Sequence, residues 1–360
     1  MKRRKFPLLI RLIGWLCLAA ALQAMTPSDG MRLVVLVPPP QMPARPQILA
    51  VAPVTTCGAG SACVFLPLVN TNTAQTDLRT RSFAMALYNQ AYLGSAGVST
   101  GWNGSIDSCD PGTTTQAFRD SVLLRLNYYR EMAGIPSLTG LSSDYAAQDQ
   151  AAALMMAANQ ALNHTPPSSW TCYTTTGYTG SSSSNLALGA YGPAAIDLYM
   201  DDGGVASLGH RRWILYPQTQ QSGTGDIPGS NWQQQSNALK AWDSHIWDPR
   251  PATLNDFVAW PPPGYVPYQV VYPAWSFAVA DADFSGASVS VTSGGASMPV
   301  TVSHLPNGFG ENTLAFSFYS GYAWPRPSTD TAYQVAIRNV VVNGAARSYT
   351  YTVTVIDPAE

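Results

Sequence analysis

The chain has 360 residues, which is long enough for two ordinary domains. Only 11% of its residues are charged. Its 19 Lys and Arg residues stand against 21 Asp and Glu residues, for a formal net charge of −2. Because basic residues do not outnumber acidic ones, we expect no basic surface that could follow a phosphate backbone. This argues against nucleic-acid binding.

The N-terminal residues predict export. Lys2-Arg3-Arg4-Lys5 precedes a mostly apolar run over residues 12–22, and Ala24 closes the segment. This pattern is typical of a signal peptide over residues 1–24, with an amphipathic anchor as the alternative. Cleavage would leave 14 basic and 21 acidic residues, a net charge of −7. We expect a secreted, extracellular or cell-envelope protein, with no transmembrane span after signal removal.

Four cysteines remain after residue 24: Cys57, Cys63, Cys109 and Cys172. An even number in an exported chain predicts two disulfides, for which three connectivities exist. We favour Cys57–Cys63, which closes a short loop, together with Cys109–Cys172. A four-thiolate zinc site is the alternative, but the close paired spacing typical of such sites is missing.

The order of predicted elements suggests a spacer followed by a helical region. Residues 25–82 are rich in Pro and Thr, carry no sustained period and predict a spacer, partly polyproline II. Residues 83–245 show helical spacing of apolar residues, with predicted helices over 116–133 and from about 144 to 162. A third helix should begin near Pro193.

The remainder of the chain, residues 246–360, predicts an all-β domain. Short alternating segments are separated by glycine turns, and no helical period is present. One predicted hairpin lies within residues 289–302 around a Gly-Gly pair, and a second lies within residues 336–355 around an Asn-Gly pair. Several such strands indicate a β-sandwich of the immunoglobulin-like kind.

A Gly-His-Arg segment at residues 209–211 leads into an apolar turn and Pro217, and His164 lies forty-six residues before its histidine. This arrangement resembles the CAP superfamily of cysteine-rich secretory, antigen-five and pathogenesis-related proteins and their bacterial extracellular (SCP-like) relatives. The resemblance covers roughly residues 116–245. Its further segments are Asn127-Tyr128-Tyr129-Arg130, Tyr199-Met200-Asp201-Asp202 and Ser222-Gly223-Thr224-Gly225.

The resemblance implies the fold and the candidate site. The expected fold class is α+β: a CAP-like α-β-α sandwich followed by an all-β, immunoglobulin-like sandwich. Family members typically gather two histidines and two acidic residues in a cleft, and the matching positions here are His164, His210, Asp202 and Ser184. Ser184 stands where the family usually has a glutamate, so one carboxylate of the set is lost.

The chemistry of this cleft leaves two interpretations open. His164, Asp202 and His210 would provide three ligands for zinc or another divalent cation, with water as the fourth. Without metal, the same side chains would hydrogen-bond to one another and exchange protons with a ligand. The chain has neither a His-Glu-x-x-His nor a Gly-x-Ser-x-Gly motif.

Three functional hypotheses follow. The first is an exported binding module, not an enzyme, whose His/Asp cleft engages a small-molecule, lipid or glycan ligand or a surface protein. The second is a hydrolase that uses zinc, or a histidine of the pair as base. The third is a cell-surface adhesive or scaffold protein in which the β-sandwich presents the other domain.

Overall fold

Helices and strands alternate in the first part of the chain, and strands alone follow. The structure, a computed structural model, describes residues 35–44 and 80–359. The predicted signal peptide and both Cys57 and Cys63 lie outside these residues.

Six α-helices are present among the described residues, all of them before residue 215: α1 (Arg81–Leu87), α2 (Gln116–Met132), α3 (Ser143–Asn159), α4 (Thr175–Ser182), α5 (Pro193–Asp201) and α6 (Gly209–Ile214). A π-helical segment, Tyr88–Leu93, continues α1. Short 3₁₀ turns occupy Trp232–Gln234 and Tyr268–Val270.

The strands of the first part are β1 (Val35–Leu36), β2 (Gly140–Leu141), β3 (Ser184–Leu188), β4 (Gln221–Ser222), β5 (Thr224–Ile227) and β6 (Ser236–Lys240). Those of the second part are β7 (Val258–Trp260), β8 (Gly264–Pro267), β9 (Trp275–Ala278), β10 (Ser288–Ser293), β11 (Ala296–Ser297), β12 (Thr301–His304), β13 (Thr313–Ser317), β14 (Thr331–Val342) and β15 (Ala345–Ile356).

The helix ends follow local sequence chemistry. The Thr115 hydroxyl accepts a hydrogen bond from the N–H of Phe118 and caps α2, so the predicted helix over 116–133 is confirmed to within a residue. Helix α3 ends at Asn159 because Gln160 adopts a left-handed conformation. The predicted end near residue 162 was therefore too late, and His164 lies in the loop beyond the helix.

The first sheet is the middle layer of an α-β-α sandwich. Its order is β1-β3-β6-β5, and all neighbouring strands are antiparallel. Leu186 and Ala238 pack with the apolar side of α3, whereas Ala187 and Leu239 join the core that contains α2 and α5. Successive residues of a strand point to opposite faces, so each face of this sheet receives a helical layer.

The second part of the chain forms two further sheets. One has the order β11-β10-β14-β15-β8 and the other β12-β13-β9-β7. Aromatic and β-branched side chains from both sheets meet in one core, where Phe277 of β9 contacts the rings of Tyr349 and Tyr351 of β15. The fold class is therefore α+β, with an all-β region after the helical one.

Both predicted hairpins have the predicted turn, although the second strand of the first is shorter than expected. Strands β14 and β15 turn at Asn343 and Gly344, both with positive φ, as the Asn-Gly signal predicts. Strand β10 pairs with the short β11 across Gly294 and Gly295, whereas β12 joins β13 in the other sheet. The chain therefore changes sheets between Ser297 and Thr301.

The helical and β-rich parts are in close contact. The guanidinium of Arg211 donates to the carbonyl of Ala274 at 2.7 Å, and that of Arg212 donates to the carbonyls of Pro306 and Glu311 at 2.8 and 3.1 Å. A single apolar cluster runs from α1 to β15. The arginines next to His210 therefore stabilise the fold.

Part of the predicted spacer is structured. Strand β1 pairs antiparallel with β3, with Val35 opposite Leu188 and Leu36 opposite Ala187. A strand-like apolar run, Val35-Leu36-Val37, precedes the prolines and pairs with β3, which would otherwise be an edge strand of this sheet. The spacer predicted as partly polyproline II and partly irregular therefore includes a short strand at Val35–Leu36.

Cys109 and Cys172 form the predicted disulfide, which closes a loop of 63 residues between the segment before α2 and the segment before α4. The pairing of Cys57 with Cys63 lies outside the described residues. Among the described helices, none is both long and apolar enough to cross a membrane.

Candidate functional site

His210 and Asp202 form a buried pair at the junction of α5 and α6. Asp202 follows the last residue of α5 in a left-handed conformation, φ 53°, which aspartate tolerates better than most residues. Its carboxylate accepts hydrogen bonds from Nδ1 of His210 at 2.7 Å and from the backbone N–H of His210 at 3.0 Å. A carboxylate only accepts, so Nδ1 carries a proton, and in the neutral imidazole Nε2 is then the acceptor.

The ring of His164 also carries a proton on Nδ1. Its Nδ1 lies 2.6 Å from the carbonyl oxygen of Ser181, and because a carbonyl cannot donate, Nδ1 carries the proton there too. Burial lowers the pKa of His164 below its ordinary value of 6.5, and the nearby His210 lowers it further, against the raising effect of the Ser181 and Pro38 carbonyls. The neutral imidazole is therefore favoured, with Nε2 as an acceptor.

Both acceptor atoms are buried without a hydrogen-bond partner among the described residues. Nε2 of His164 and Nε2 of His210 each lack one, and His210 itself is fully buried. The His210 ring also stacks on Tyr199, with centroids 5.2 Å apart. A buried, unpaired acceptor costs free energy comparable to a lost hydrogen bond. The two atoms thus mark a place where a hydrogen-bond donor is missing.

Ser184 is directed elsewhere. Its Oγ donates to Oδ1 of Asp149 in α3 at 2.6 Å, on the opposite face of β3 from Asn185. Asn185 is the residue whose side chain reaches the backbone carbonyl of His210, at 3.4 Å. The structure therefore pairs Asp202 with His210, places His164 near enough to His210 for its pKa to be lowered, and places Ser184 against α3.

Asp149 is a buried carboxyl that sequence reasoning missed. Its second oxygen accepts the backbone N–H of Lys240 at 3.0 Å. Burial raises the pKa of Asp149 to about 7, although the hydrogen bond from Ser184 opposes the shift. The available signal was a lone acidic residue on the apolar side of an Ala/Met-rich helix.

The site geometry does not fit a three-ligand metal centre. In the part of the chain that the structure describes, no group of three or more His, Cys, Asp or Glu residues is placed to hold a metal ion. Asp202 directs both oxygens to His210, through Nδ1 and the backbone N–H. The expected His164, Asp202 and His210 ligand set for zinc is therefore not assembled, because its carboxylate is already used.

The Asp202–His210 pair has the orientation of a catalytic base and its supporting acid. The described residues place no serine, threonine or cysteine in hydrogen-bond contact with Nε2 of either histidine, since both atoms are unpartnered. A nucleophile, the third component of such a hydrolase, is therefore not in place.

Residues 35–42, which we call the strap, lie across this site. Beyond β1, the Pro38 carbonyl approaches His164, and the buried Pro39 lies against Gly209, where any Cβ would overlap its ring. Nε1 of Trp213 donates to the carbonyl of Pro40 at 2.9 Å, and the N–H of Met42 donates to the carbonyl of Gly308 at 2.7 Å. The strap therefore contacts His164 and the residue that precedes His210.

A cavity of about 580 Å³ lies elsewhere, between the start of α2, the start of α3 and the loop over residues 111–114. Neither histidine lines it. Its polar lining residues are largely committed within the fold: Arg119 donates to Gln116, and Gln150 donates to Pro111 and Asp226.

The model of the CAP family, described as the cysteine-rich secretory protein family, matches residues 123–245. Residues 123–245 form a CAP domain. The predicted resemblance is thereby confirmed for the central region, and the CAP domain contains His164, Ser184, Asp202 and His210. Comparison with curated proteins gave no match.

Proposed function

We propose that the CAP domain of this chain is a binding module whose ligand donates hydrogen bonds to His164 and His210. The observation that carries the proposal is the pair of buried, unpartnered Nε2 atoms. Each ring is fixed as an acceptor by the group bound at its Nδ1. A hydroxyl or amide N–H of a ligand, whether lipid, glycan, small molecule or surface protein, would satisfy both.

Binding is favoured over hydrolysis by the same geometry. An imidazole that acts as a general base must lie within hydrogen-bond reach of the group it deprotonates. Nε2 of His210 has no such partner in the described chain, and the metal ligand set is not assembled.

The binding proposal can be tested by histidine NMR on the full chain. The chain has four histidines, so ¹⁵N-histidine labelling yields a simple spectrum in which His304, an exposed residue of β12, is an internal control. We would titrate 1-hexadecanol, solubilised cholesterol and chitohexaose, each of which carries a hydroxyl donor. A ligand that occupies the site should shift the Nε2 resonances of His164 and His210, leave His304 unchanged, and lose affinity in His210→Phe but not in His304→Gln.

Selective loss of affinity in His210→Phe would support the proposal. Binding that His210→Phe leaves unchanged would contradict it, because the ligand would then occupy another surface.

Export is the second element of the proposed function. The motivating observations are the predicted signal over residues 1–24 and the Cys109–Cys172 disulfide, a bond that persists in oxidising compartments. Expression of the whole chain in a bacterial host should release a protein that begins at Met25, as N-terminal sequencing would show. Recovery of an uncleaved chain from the cytoplasm would refute this part.

A further inference from the structure

A second cavity, of about 440 Å³, lies where the helical and β-rich parts of the chain meet. Tyr216, Gln218 and Asp248 line it on the helical side, and Asp281 and Glu311 line it on the β-rich side. Its volume is within the usual range for small-molecule sites, which often lie between two parts of a protein. The chemistry of its lining determines which small molecules it can hold.

The charged groups that line this cavity are mostly acidic. Arg250 is the one basic residue among the described lining residues, and it forms an ion pair with Glu311. The carboxylates of Asp248 and Asp281 have no hydrogen-bond or ion-pair partner in the described part of the chain. Burial, Glu311 and Asp281, in that order, raise the pKa of Tyr216 to about 12, so the charges of these two carboxylates reach the cavity wall. The resulting negative potential favours a cationic occupant.

Gln218 adds a hydrogen-bond acceptor that lacks a donor. Its Oε1 atom is buried and has no partner among the described residues. A buried acceptor of this kind costs free energy until a donor reaches it. A primary ammonium group provides three N–H donors together with a positive charge. It therefore matches both Gln218 and the two unpaired carboxylates.

Apolar surface is available beside these polar groups. Trp247 and Met42 both line the cavity, and both pack beside the cluster that contains Trp213. An indole ring also attracts a nearby cation through its π face. The cavity thus offers an apolar contact to a carbon chain and negative charge to its ammonium ends.

Hydrogen bonds within the fold fix the walls of the cavity. The Tyr216 hydroxyl donates to the carbonyl of Ile246 at 2.9 Å, and the Asn312 side chain donates to the carbonyl of Ala282 at 2.8 Å. A site whose walls are already ordered loses little further conformational entropy when a ligand binds. The cavity is therefore organised before any ligand enters it.

We infer that this cavity is a binding site for a small aliphatic amine. The ammonium groups of the ligand donate to Oε1 of Gln218 and to the carboxylates of Asp248 and Asp281. Two carboxylates favour a diamine over a monoamine, because each ammonium group then faces an opposite charge. This site goes beyond the proposed function, since neither His164 nor His210 lines it.

The test is isothermal titration calorimetry of the full chain with cadaverine, a linear diamine. We expect saturable binding of one cadaverine per chain. The diol of the same chain length, which lacks the charges, should bind at least about tenfold more weakly. Tetramethylammonium, a cation without N–H donors, should also bind less tightly than cadaverine.

Two variants locate the binding. Asp248→Asn/Asp281→Asn should lower the affinity for cadaverine about tenfold through loss of both charges, and asparagine readily adopts the positive φ of Asp281. Gln218→Leu should lower it about tenfold through loss of the buried acceptor. The matched control is Asp107→Asn, which neutralises an exposed carboxylate outside the cavity and should leave the affinity unchanged.

The inference is overturned if cadaverine shows no saturable binding, or if the diol or tetramethylammonium binds as tightly. It is also overturned if either the double aspartate variant or a folded Gln218→Leu keeps the wild-type affinity. Thermal unfolding shows whether Gln218→Leu is folded, and the double aspartate variant decides the outcome if it is not. Cadaverine should leave the His164 and His210 resonances unchanged, and a shift of both would place the amine at the histidines and overturn the inference.

Discussion

Asp202 determines which nitrogen of His210 carries the proton. Its carboxylate accepts Nδ1–H and two backbone N–H groups, the second from Arg211 at 3.3 Å. Asp202 lies in the left-handed region, a conformation that asparagine also adopts readily. Asparagine is therefore a replacement that changes the hydrogen-bonding chemistry and leaves the backbone unstrained.

We expect Asp202→Asn to move the His210 proton to Nε2 and to lower the free energy of unfolding by about 3 kcal/mol. The amide can keep its oxygen on the backbone N–H groups only by directing its NH₂ toward Nδ1, which must then accept. ¹⁵N-histidine NMR would show the exchange of nitrogen shifts, and urea unfolding would give the stability. An unchanged tautomer would contradict the role assigned to Asp202.

Asp149 predicts a pH dependence of stability. Its pKa is raised to about 7 from an ordinary value of 3.8, so the folded protein binds a proton that the unfolded chain releases. The stabilisation is complete below about pH 4 and is lost as the pH rises through 7, up to about 4 kcal/mol in total. His164 acts in the opposite sense, because its lowered pKa removes stability as the pH falls below 6.5.

Asp149→Asn should remove the part of the pH dependence of stability that comes from Asp149. The variant should therefore be more stable than wild type at pH 8. An asparagine can accept the Lys240 N–H through Oδ1 and donate through its NH₂ to Oγ of Ser184, whose hydroxyl then turns from donor to acceptor. Urea unfolding between pH 4 and 8 measures both profiles. Parallel profiles for the two proteins would show that Asp149 is not protonated in the fold.

At the scale of elements, the disulfide ties two loops that no strand ladder joins. Cys109 precedes α2 and Cys172 precedes α4. The variant Cys109→Ser/Cys172→Ser lacks this cross-link, which frees a 63-residue loop in the unfolded chain. We expect its free energy of unfolding to fall by about 4 kcal/mol. Thermal unfolding of oxidised wild type and the double variant would measure it, and equal midpoints would disprove a stabilising role.

The elements also show what sequence patterns can and cannot predict. The helix over 116–133 and the Asn343-Gly344 hairpin depend on neighbouring residues, and both are confirmed. The pairing partner of β12 depends on a change of sheet, which no local pattern encodes. Hairpin signals specify the turn, and sheet membership is decided by packing over the whole core.

In the candidate site, too, residues in local motifs could be predicted and contacts between distant segments could not. His164, Asp202 and His210 were found from motif order, because each sits in a recognisable segment. The orientation of Ser184 was not found, since its partner Asp149 lies 35 residues earlier in the chain. The strap was missed because proline-rich composition is typical of both a free spacer and an extended segment docked on a surface.

At the scale of the whole molecule, the helical and β-rich parts should depend on each other. Arg211 is fully buried, with acceptors in both parts: the carbonyls of Met200 and Asp201, and that of Ala274 beyond β8. The Arg212 side chain reaches Pro306 and Glu311. Removal of the β-rich part would take away two of the four acceptors of the Arg211 guanidinium and two of the three of the Arg212 guanidinium.

A chain truncated after residue 249 should therefore lose cooperative unfolding and near-UV circular dichroism. The matched control is a chain that lacks only residues 358–360, which removes no core residue. A folded truncated protein with a sharp thermal transition would show that the helical part is an independent domain. It would also favour the hypothesis that the β-sandwich presents the other domain at a cell surface.

The strap contacts segments that are far from it in sequence and are therefore synthesised much later. Residues 35–42 leave the ribosome before their partners exist: β3 is completed with Leu188, Trp213 follows, and Gly308 comes nearly last. The segment translated first must therefore wait for more than 260 further residues before Met42 can reach its carbonyl partner. Throughout that wait the β3 edge and the two histidines are open to any partner that meets the nascent chain.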